Sequence, residues 1–386
     1  MKRRLMAISI ATLVLCVVLT IVAVPLFISS YATHASSVQH NQSSNVMDTI
    51  NGLVHISVVG STQFIIDKKG HTAAVDANPY DVQIVPSTPA TLVNAPYGSV
   101  RAGDLVATNI GNLDTGNTLV AFPARVGPGH QFNSTSSAFS GLAKEAFNTK
   151  TGTDWVTNFS KNDIEIFNPN GTYLTAVRSS SFKKPWGIAF NGGLVNPQEG
   201  STDSFFVANA WDATIDRIDV IPVNGIATFK VARIAQLNTS GDETKIALTW
   251  APIFTIHGKP YTDVLLALDP ATNRIAAFPN STTTTAYSDQ GITAFAGKPL
   301  NNPGGIALNP FNNNLFVVNL NDNNLLELNA DTGTVVGTRL IDNVPVDLQT
   351  GNGSALFGVT AGKDAAGNLV IYFTDDNTNT VNMLGV

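Results

Sequence analysis

Short apolar runs alternate with polar turns along most of the chain, and the pattern recurs. Each copy has a β-branched and aromatic run ending in Asn or Asp, a polar turn, and a second alternating run. This arrangement predicts a β-hairpin. The six runs are LVATN, WVTN, FFVAN, LLALD, LFVVN and IYFTD, which end at Asn109, Asn158, Asn209, Asp269, Asn319 and Asp375. Because these residues are 49 to 60 positions apart, the sequence indicates a propeller or another repeat array.

A run of small residues stands upstream of each hairpin, as expected where inner strands converge on an axis. We predict that these runs start at Asp81, Gly141, Gly187, Lys245, Gly305 and Gly358. A fourth alternating run, such as TYLTAV, follows most hairpins. Four strands in each of six repeats predict an all-β fold, a six-bladed β-propeller, with seven blades as the alternative.

The sixth repeat offers only three strands before the sequence stops at Val386. The unassigned alternating run HISVVGSTQFII, residues 55–66, is therefore predicted to supply the outer strand of the last blade. Pairing of this N-terminal strand with the last blade would close the ring and leave no free sheet edge.

The N-terminal segment has the pattern of an export signal. Three basic residues (2–4) precede an apolar run that extends to about residue 28. We expect residues 1–32 to be a signal peptide or an N-terminal membrane anchor, 33–50 a polar linker, and 51–386 the propeller. Either form places the propeller outside the cytoplasm, secreted or tethered to the outer face of the membrane. Cys16, the only cysteine, lies in the apolar run, so the propeller has no disulfide.

Composition excludes one class of partner. Charged residues make up 13% of the chain, the formal net charge is −6, and no basic patch is present. A nucleic-acid-binding surface would need such a patch. We therefore expect no nucleic-acid partner, and membrane contact only through the N-terminal segment.

The repeats resemble two families. LFVVNLNDNNLLELNADTGTVVG and WVTNFSKNDIEIF resemble the YVTN repeat of bacterial and archaeal surface propellers, whereas KPWGIAFN and NPGGIALNP resemble the NHL repeat. The resemblance covers roughly residues 79–386. It implies an exported surface propeller of a fold that serves binding scaffolds, lyases and lactonases alike. In the lactonases a Glu near the start of blade one helps to hold a metal, and this chain has no such Glu.

The six Asx residues that end the second strands are interpreted as structural. A catalytic residue is needed once, whereas a turn former is needed in every blade. A weaker metal hypothesis concerns Asp375, Asp376 and Asn377, whose oxygens are of the kind that bind Ca²⁺, the one cofactor the sequence leaves possible. They lack the Gly and the distal Glu of a calcium loop.

Two charged residues interrupt the small runs. In a six-bladed ring, blades one and four are opposite, so Asp81 and Lys245 are predicted to be the poles of an axial ligand pocket with Trp186 and Trp250 near its rim. The sequence therefore favours a ligand-binding or cell-surface interaction module for a small polar ligand, a glycan or a surface protein. A metal-dependent lactonase-like or lyase-like enzyme acting at the axial face is the alternative.

Overall fold

The computed structural model describes residues 48–386 except 68, 88–92, 96–97, 124 and 240–242. The described residues belong to one unit, 44–386, and form strands and three short 3₁₀ turns. No helix among them is long and apolar enough to cross a membrane. The predicted signal or anchor, and the linker up to residue 47, lie outside the described residues.

The strands assemble into six antiparallel four-stranded blades around an axis. The innermost strands are β4 (Pro79–Ile84), β10 (Leu142–Phe147), β14 (Pro185–Phe190), β18 (Leu248–Ile256), β23 (Pro303–Leu308) and β27 (Val359–Lys363). The second strands are β7 (Leu105–Asn109), β11 (Asp154–Asn158), β15 (Asp203–Asn209), β19 (Lys259–Asp269), β24 (Leu315–Asn319) and β28 (Leu369–Asp375). The third strands are β8 (Thr118–Phe122), β12 (Asp163–Phe167), β16 (Thr214–Val223), β20 (Arg274–Phe278), β25 (Asn324–Asn329) and β29 (Thr380–Gly385).

The outer strands are β9 (His130–Gln131), β13 (Tyr173–Arg178), β17 (Ile226–Gln236), β22 (Ile292–Ala296), β26 (Thr334–Leu340) and, in blade six, β1 (His55–Ser61). Two hairpins lie outside the blades, β2 (Phe64–Ile66) with β3 (Thr72–Ala74) and β5 (Val93–Ala95) with β6 (Gly98–Val100), and β21 (Ser288–Asp289) adds a fifth strand to blade three. The prediction of six blades is confirmed, and the seven-bladed alternative is wrong.

The core lies between neighbouring blades, which explains why the second strands are apolar at consecutive positions. Successive side chains of a strand point to opposite faces of its sheet. Leu265 therefore packs with Phe206 of blade three, whereas Leu266 packs with Leu315 of blade five. Both faces of each blade are buried, and the alternating polar pattern survives only in the outer strands.

The N-terminal segment closes the ring as predicted, but with fewer residues. β1 pairs with β29 from His55↔Gly385 to Ser61↔Thr380. The prediction that residues 64–66 continue this strand is wrong. The Ser61 hydroxyl accepts hydrogen bonds from the backbone N–H groups of Gln63 and Phe64, at 3.2 and 3.0 Å, which turns the chain into the β2–β3 hairpin.

The packed chain starts earlier than the predicted boundary at residue 51. Ile50 and Leu53 are buried in the cluster between blades five and six. The Ile50 N–H donates to a carboxylate oxygen of Glu327 at 2.7 Å. Residues 48–50, assigned to the linker from the sequence, are therefore part of the propeller.

Removing the closing segment should unfold the whole ring. We compare a chain that starts at Asp48 with one that starts at Thr62. The shorter chain loses the β1–β29 pairing and three buried apolar side chains, Ile50, Leu53 and Val59. At about 2 kcal/mol each, these side chains alone approach the total stability of about 5–15 kcal/mol. Loss of the cooperative thermal transition is expected, and equal melting temperatures for the two chains would refute this account.

Candidate functional site

The structure corrects the predicted register at the axis. Strand pairing makes Asp81 equivalent to Gly305, because each pairs with the residue just before the Asx of its own blade. By the same pairing, the other equivalent positions are Lys144, Gly187, Ala247 and Gly358. The second charged axial residue is thus Lys144 in the adjacent blade. Lys245 lies two positions upstream of its predicted place.

Small residues at the axis reflect close approach of neighbouring strands. A Cβ added at Gly187 would lie 2.2 Å from the carbonyl oxygen of Ile246, and one added at Gly305 would lie 2.6 Å from that of Phe357. No real side chain tolerates such distances. The two charged residues at this level are therefore exceptions to a steric rule that governs the other blades.

Asp81 and Lys144 form a buried ion pair on the axis. Their carboxylate and ammonium groups are 3.6 Å apart, and both side chains are less than a tenth exposed. Asp81 also accepts a hydrogen bond from the Glu145 backbone N–H at 3.1 Å, and the Lys144 ammonium donates to the Phe357 carbonyl. Burial raises the pKa of Asp81 and lowers that of Lys144, and the attraction between their charges opposes both shifts.

An aromatic cap, made of Tyr80, Trp186 and Phe357, closes the channel at the end where the inner strands begin. The rings of Tyr80 and Phe357 stack with centroids 3.9 Å apart, and Trp186 reaches Tyr80 from blade three at 5.5 Å. The Lys245 ammonium lies 5.1–5.6 Å from the centroids of all three rings. Such distances suit cation–π attraction. Trp186, predicted at the rim of an axial ligand pocket, is thus part of this cap, and Lys245, predicted as a pole of that pocket, lies over it.

The cap holds charged groups among apolar ones. Burial lowers the pKa of Lys245, and the carboxylates of Asp114, Glu243 and Asp376 oppose that shift. Burial also raises the pKa of Asp376 to about 7, against the nearby charge of Lys245. The three rings and these partly exposed charged groups together cover the axis at this end.

The opposite end of the channel holds the axial pocket, a cavity of about 350 Å³ that opens to solvent between the ends of the six inner strands. Trp250 lines it, and its indole N–H donates to Asp263 at 2.9 Å. The predicted pocket is therefore divided among three places: Lys245 and Trp186 lie at the cap, Asp81 lies on the axis beside Lys144, and Trp250 lies at the open end. A cavity of about 20 Å³, lined by Asp81 and Lys144, lies deeper in the channel.

Blade two departs from the other blades beside this pocket. Glu145 occupies a repeat position that is aliphatic in the other five blades, namely Val82, Ile188, Leu248, Ile306 and Val359. Asp154 occupies one that is apolar in the others, namely Leu105, Phe205, Leu265, Leu315 and Ile371. The two carboxyls lie within hydrogen-bonding reach of each other. We call them the carboxyl pair.

The carboxyl pair is buried and short of hydrogen-bond donors. Glu145 is 1% exposed and Asp154 is fully buried, and none of their four oxygens has a donor of normal geometry in the described chain. Burial, then the charges of Asp154 and Asp81, raise the pKa of Glu145 well above its usual value. Burial raises the pKa of Asp154 to about 8, and Asp81 adds to that shift. The pair therefore holds at least one proton near neutral pH.

The carboxyl pair was not predicted, although the sequence shows an acidic residue where the other repeats have an apolar one. DWVTN aligns with LVATN and LFVVN, so Asp154 stands where the other repeats have Leu. The departure at Asp154 can be read from its distance to Asn158, whereas the register that identifies Glu145 comes only from the strand pairing. Only the structure shows that they face each other across β10 and β11 next to a cavity.

Five of the six Asx residues that end the second strands are buried and bonded to the segment that enters their own blade, whereas Asp375 is half-buried and accepts from Thr378 in its own turn. The Asn158 side chain accepts from the Ser140 N–H at 2.8 Å and donates to the Ala138 carbonyl at 3.1 Å. Asn209 and Asn319 accept the matching bonds, Asn109 donates to the Thr62 carbonyl, and Asp269 accepts from Asn238. They act by tying the second strand to this segment, and none of them is among the residues with left-handed backbone. Those left-handed residues follow four positions later, as at Asn162 and Asn323.

The three candidate calcium ligands diverge. Asp375 accepts a hydrogen bond from the Thr378 N–H at 3.1 Å, and the Asn377 amide donates to Asp342 at 2.6 Å. Asp376 belongs with the charged groups around Lys245. Among the described residues no group of three or more His, Cys, Asp or Glu is arranged to hold a metal ion.

Comparison with known proteins supports the fold. No protein-family model matches the chain, and no curated protein matches it. A protein of unknown function from Bacteroides thetaiotaomicron matches 86% of this chain and 75% of its own at 12% identity, with a TM-score of 0.52. Virginiamycin B lyase from Staphylococcus aureus matches 86% of this chain and 100% of its own at 14% identity, with a TM-score of 0.47. The nidogen/laminin complex matches 72% of this chain and 84% of its own at 15% identity, with a TM-score of 0.45. At these identities the likeness concerns the fold alone. The chain is a β-propeller, and its assignment to the NHL or YVTN type stays a prediction.

The carboxyl pair should make stability depend on pH. Its folded-state pKa values lie above those of the unfolded chain, so the folded state binds more protons between about pH 4 and pH 8. The free energy of unfolding should therefore fall as pH rises, by about 1.4 kcal/mol per pH unit for each excess proton. Replacing both residues by the leucine of other blades, Glu145→Leu with Asp154→Leu, should flatten this slope in urea unfolding at pH 5–8. Parallel slopes for parent and variant would contradict the assignment.

The axial ion pair gives a second prediction. Lys144→Met leaves the Asp81 carboxylate buried without its partner, which should cost about 3–5 kcal/mol of unfolding free energy. Adding Asp81→Asn removes the stranded charge and should recover more than half of that loss. Lys161→Met, an exposed lysine on the same blade, is the control and should stay within about 0.5 kcal/mol of the parent. Equal losses in the single and double variants would show that packing, not charge, dominates.

Proposed function

We propose that the protein is a ligand-binding propeller whose ligand occupies the axial pocket. The observation that carries this proposal is the pocket itself, about 350 Å³, open at one end of the channel and blocked towards the other by the aromatic cap. Pre-formed concave sites of this size are typical of small-molecule binding.

The walls of the pocket are of mixed chemistry. Ile188, Leu248 and Ile306 present apolar surface, and Gln83 and Thr360 add hydrogen-bonding groups. A ligand with an apolar body and one or two polar groups fits such walls, because unpaired polar atoms would be costly against them. This refines the small polar ligand expected from the sequence.

The N-terminal pattern of basic and apolar residues supports export of the propeller to the outer side of the membrane. In that place the protein would act as a secreted or surface-tethered binding module. Detection of the propeller in the culture medium or on intact cells by surface labelling tests this part of the proposal.

An enzymatic role is the second candidate, and the carboxyl pair favours it. Two adjacent carboxyls beside a cavity can serve as general acid and general base. The metal-dependent lactonase or lyase chemistry considered from the sequence would in addition need ligands beyond this pair. Metal analysis of the purified protein with a lactone hydrolysis assay distinguishes the two roles, since a bound metal with turnover would favour the enzyme.

Filling the pocket should abolish ligand binding without unfolding the protein. Ala361 lines the pocket, so Ala361→Trp places an indole inside it, whereas Ala366→Trp adds the same group on an exposed turn of the same blade. We expect compounds that raise the melting temperature of the parent in a small-molecule screen to lose at least tenfold in affinity with Ala361→Trp and to bind Ala366→Trp normally. Hits that bind both variants equally would place the site elsewhere.

A further inference from the structure

We propose that the axial pocket binds a ligand carrying a protonated amine, whose ammonium group takes the place of the proton shared by Glu145 and Asp154. This inference rests on the proposed function and names the chemical class of its ligand.

The charge of the pocket selects the sign of the ligand. Glu145 is the one ionisable residue among the described residues that line the pocket, and no Lys, Arg or His is among them. A carboxylate or phosphate ligand would meet no opposite charge there and would lie close to an acidic pair. An anion is therefore disfavoured, whereas a cation finds the countercharge that it needs in a desolvated site.

The groups around Glu145 leave one unbalanced charge. On β4, Asp81 faces the ammonium of Lys144 from β10, and those two charges compensate each other. On β11, Asp154 shares its proton with Glu145. Loss of that proton would leave two adjacent carboxylates beside one compensated ion pair, and one ammonium group between the carboxylates would restore the single positive charge that the proton supplied.

Hydrogen bonding points to the same partner. Four buried carboxyl oxygens lack donors of normal geometry, and buried acceptors left in this state are costly. An alkylammonium has three N–H donors and no acceptor. It therefore supplies both the donors and the positive charge, which an alcohol or a neutral amide cannot do.

Binding would release a proton. The amine arrives as R–NH₃⁺, Glu145 turns from Asp154 towards the pocket because both of its oxygens are covered in this structure, and the shared proton leaves to solvent. No covalent bond forms or breaks apart from this deprotonation of the carboxyl pair. Affinity should then increase with pH, by up to about tenfold per pH unit while the pair holds its proton and the amine stays protonated.

The apolar walls indicate what the amine is attached to. Ile188, Leu248, Ile306 and Val359, the aliphatic equivalents of Glu145 in other blades, line the same cavity. They would surround a compact hydrocarbon body while the ammonium reaches blade two. A bulky aliphatic amine is therefore the simplest probe of the site.

Three compounds with one skeleton test the inference: adamantylmethylamine, adamantylmethanol and adamantanecarboxylate. Isothermal titration calorimetry at pH 6, 7 and 8, in two buffers of different ionisation enthalpy, measures affinity and proton release together. We expect the amine to bind at least tenfold more tightly than the alcohol, the carboxylate to bind weakest, and about one proton to be released per amine bound.

Matched variants locate the effect. Glu145→Gln should remove both the preference for the amine and the proton release, whereas Glu165→Gln, which changes a buried carboxyl of the same blade away from the pocket, should keep both. Equal affinity for amine and alcohol, or absence of proton release in the parent, would overturn this inference. If screening hits are then still blocked by Ala361→Trp, the proposed function stands, and if none is blocked, both ideas fail.

Discussion

The backbone hydrogen bonds between β1 and β29 are the constraint on which the rest of the molecule depends. Each blade is apolar on both faces, so it is stable only between two neighbours. In an open array the first and last blades would each expose such a face. The pairing from His55↔Gly385 to Ser61↔Thr380 makes the last blade complete and brings it against the first. Ile50 and Leu53, buried beside blade six, reinforce the same junction.

Closure of the ring also crowds the six inner strands together at the axis. Once six inner strands meet, the innermost positions have room for little beyond glycine, as Gly187 and Gly305 show. Any larger or charged residue there must find a specific partner. Asp81 and Lys144 find each other. The carboxyl pair lies one step further from the axis, in the contact between blades one and two, where the other interfaces are filled by hydrocarbon. The free-energy cost of burying this pair is offset by the apolar packing of the other blade interfaces.

The architecture could be predicted because its sequence pattern recurs in six repeats. The spacing of the Asx residues, the small inner runs and the spare strand at the N-terminus each follow from local pattern. The position of Lys245 could not be predicted, because bulges at the start of inner strands, such as that between Pro79 and Asp81, shift the register without a sequence signal. Blade four lacks that paired start, since β18 begins at Leu248. The separation of Trp250 from Trp186 could not be predicted either, because the channel has two ends and the sequence does not indicate at which end each residue lies.

The aromatic cap has a kinetic consequence. With Tyr80, Trp186 and Phe357 packed across one end, the channel is a cul-de-sac, so a bound molecule must leave by the route through which it came. Entry of a second molecule cannot push the first one onward, and exchange must wait for spontaneous departure. Residence time is then governed by the mouth beside Trp250, and alterations on the capped side of the ring leave it untouched.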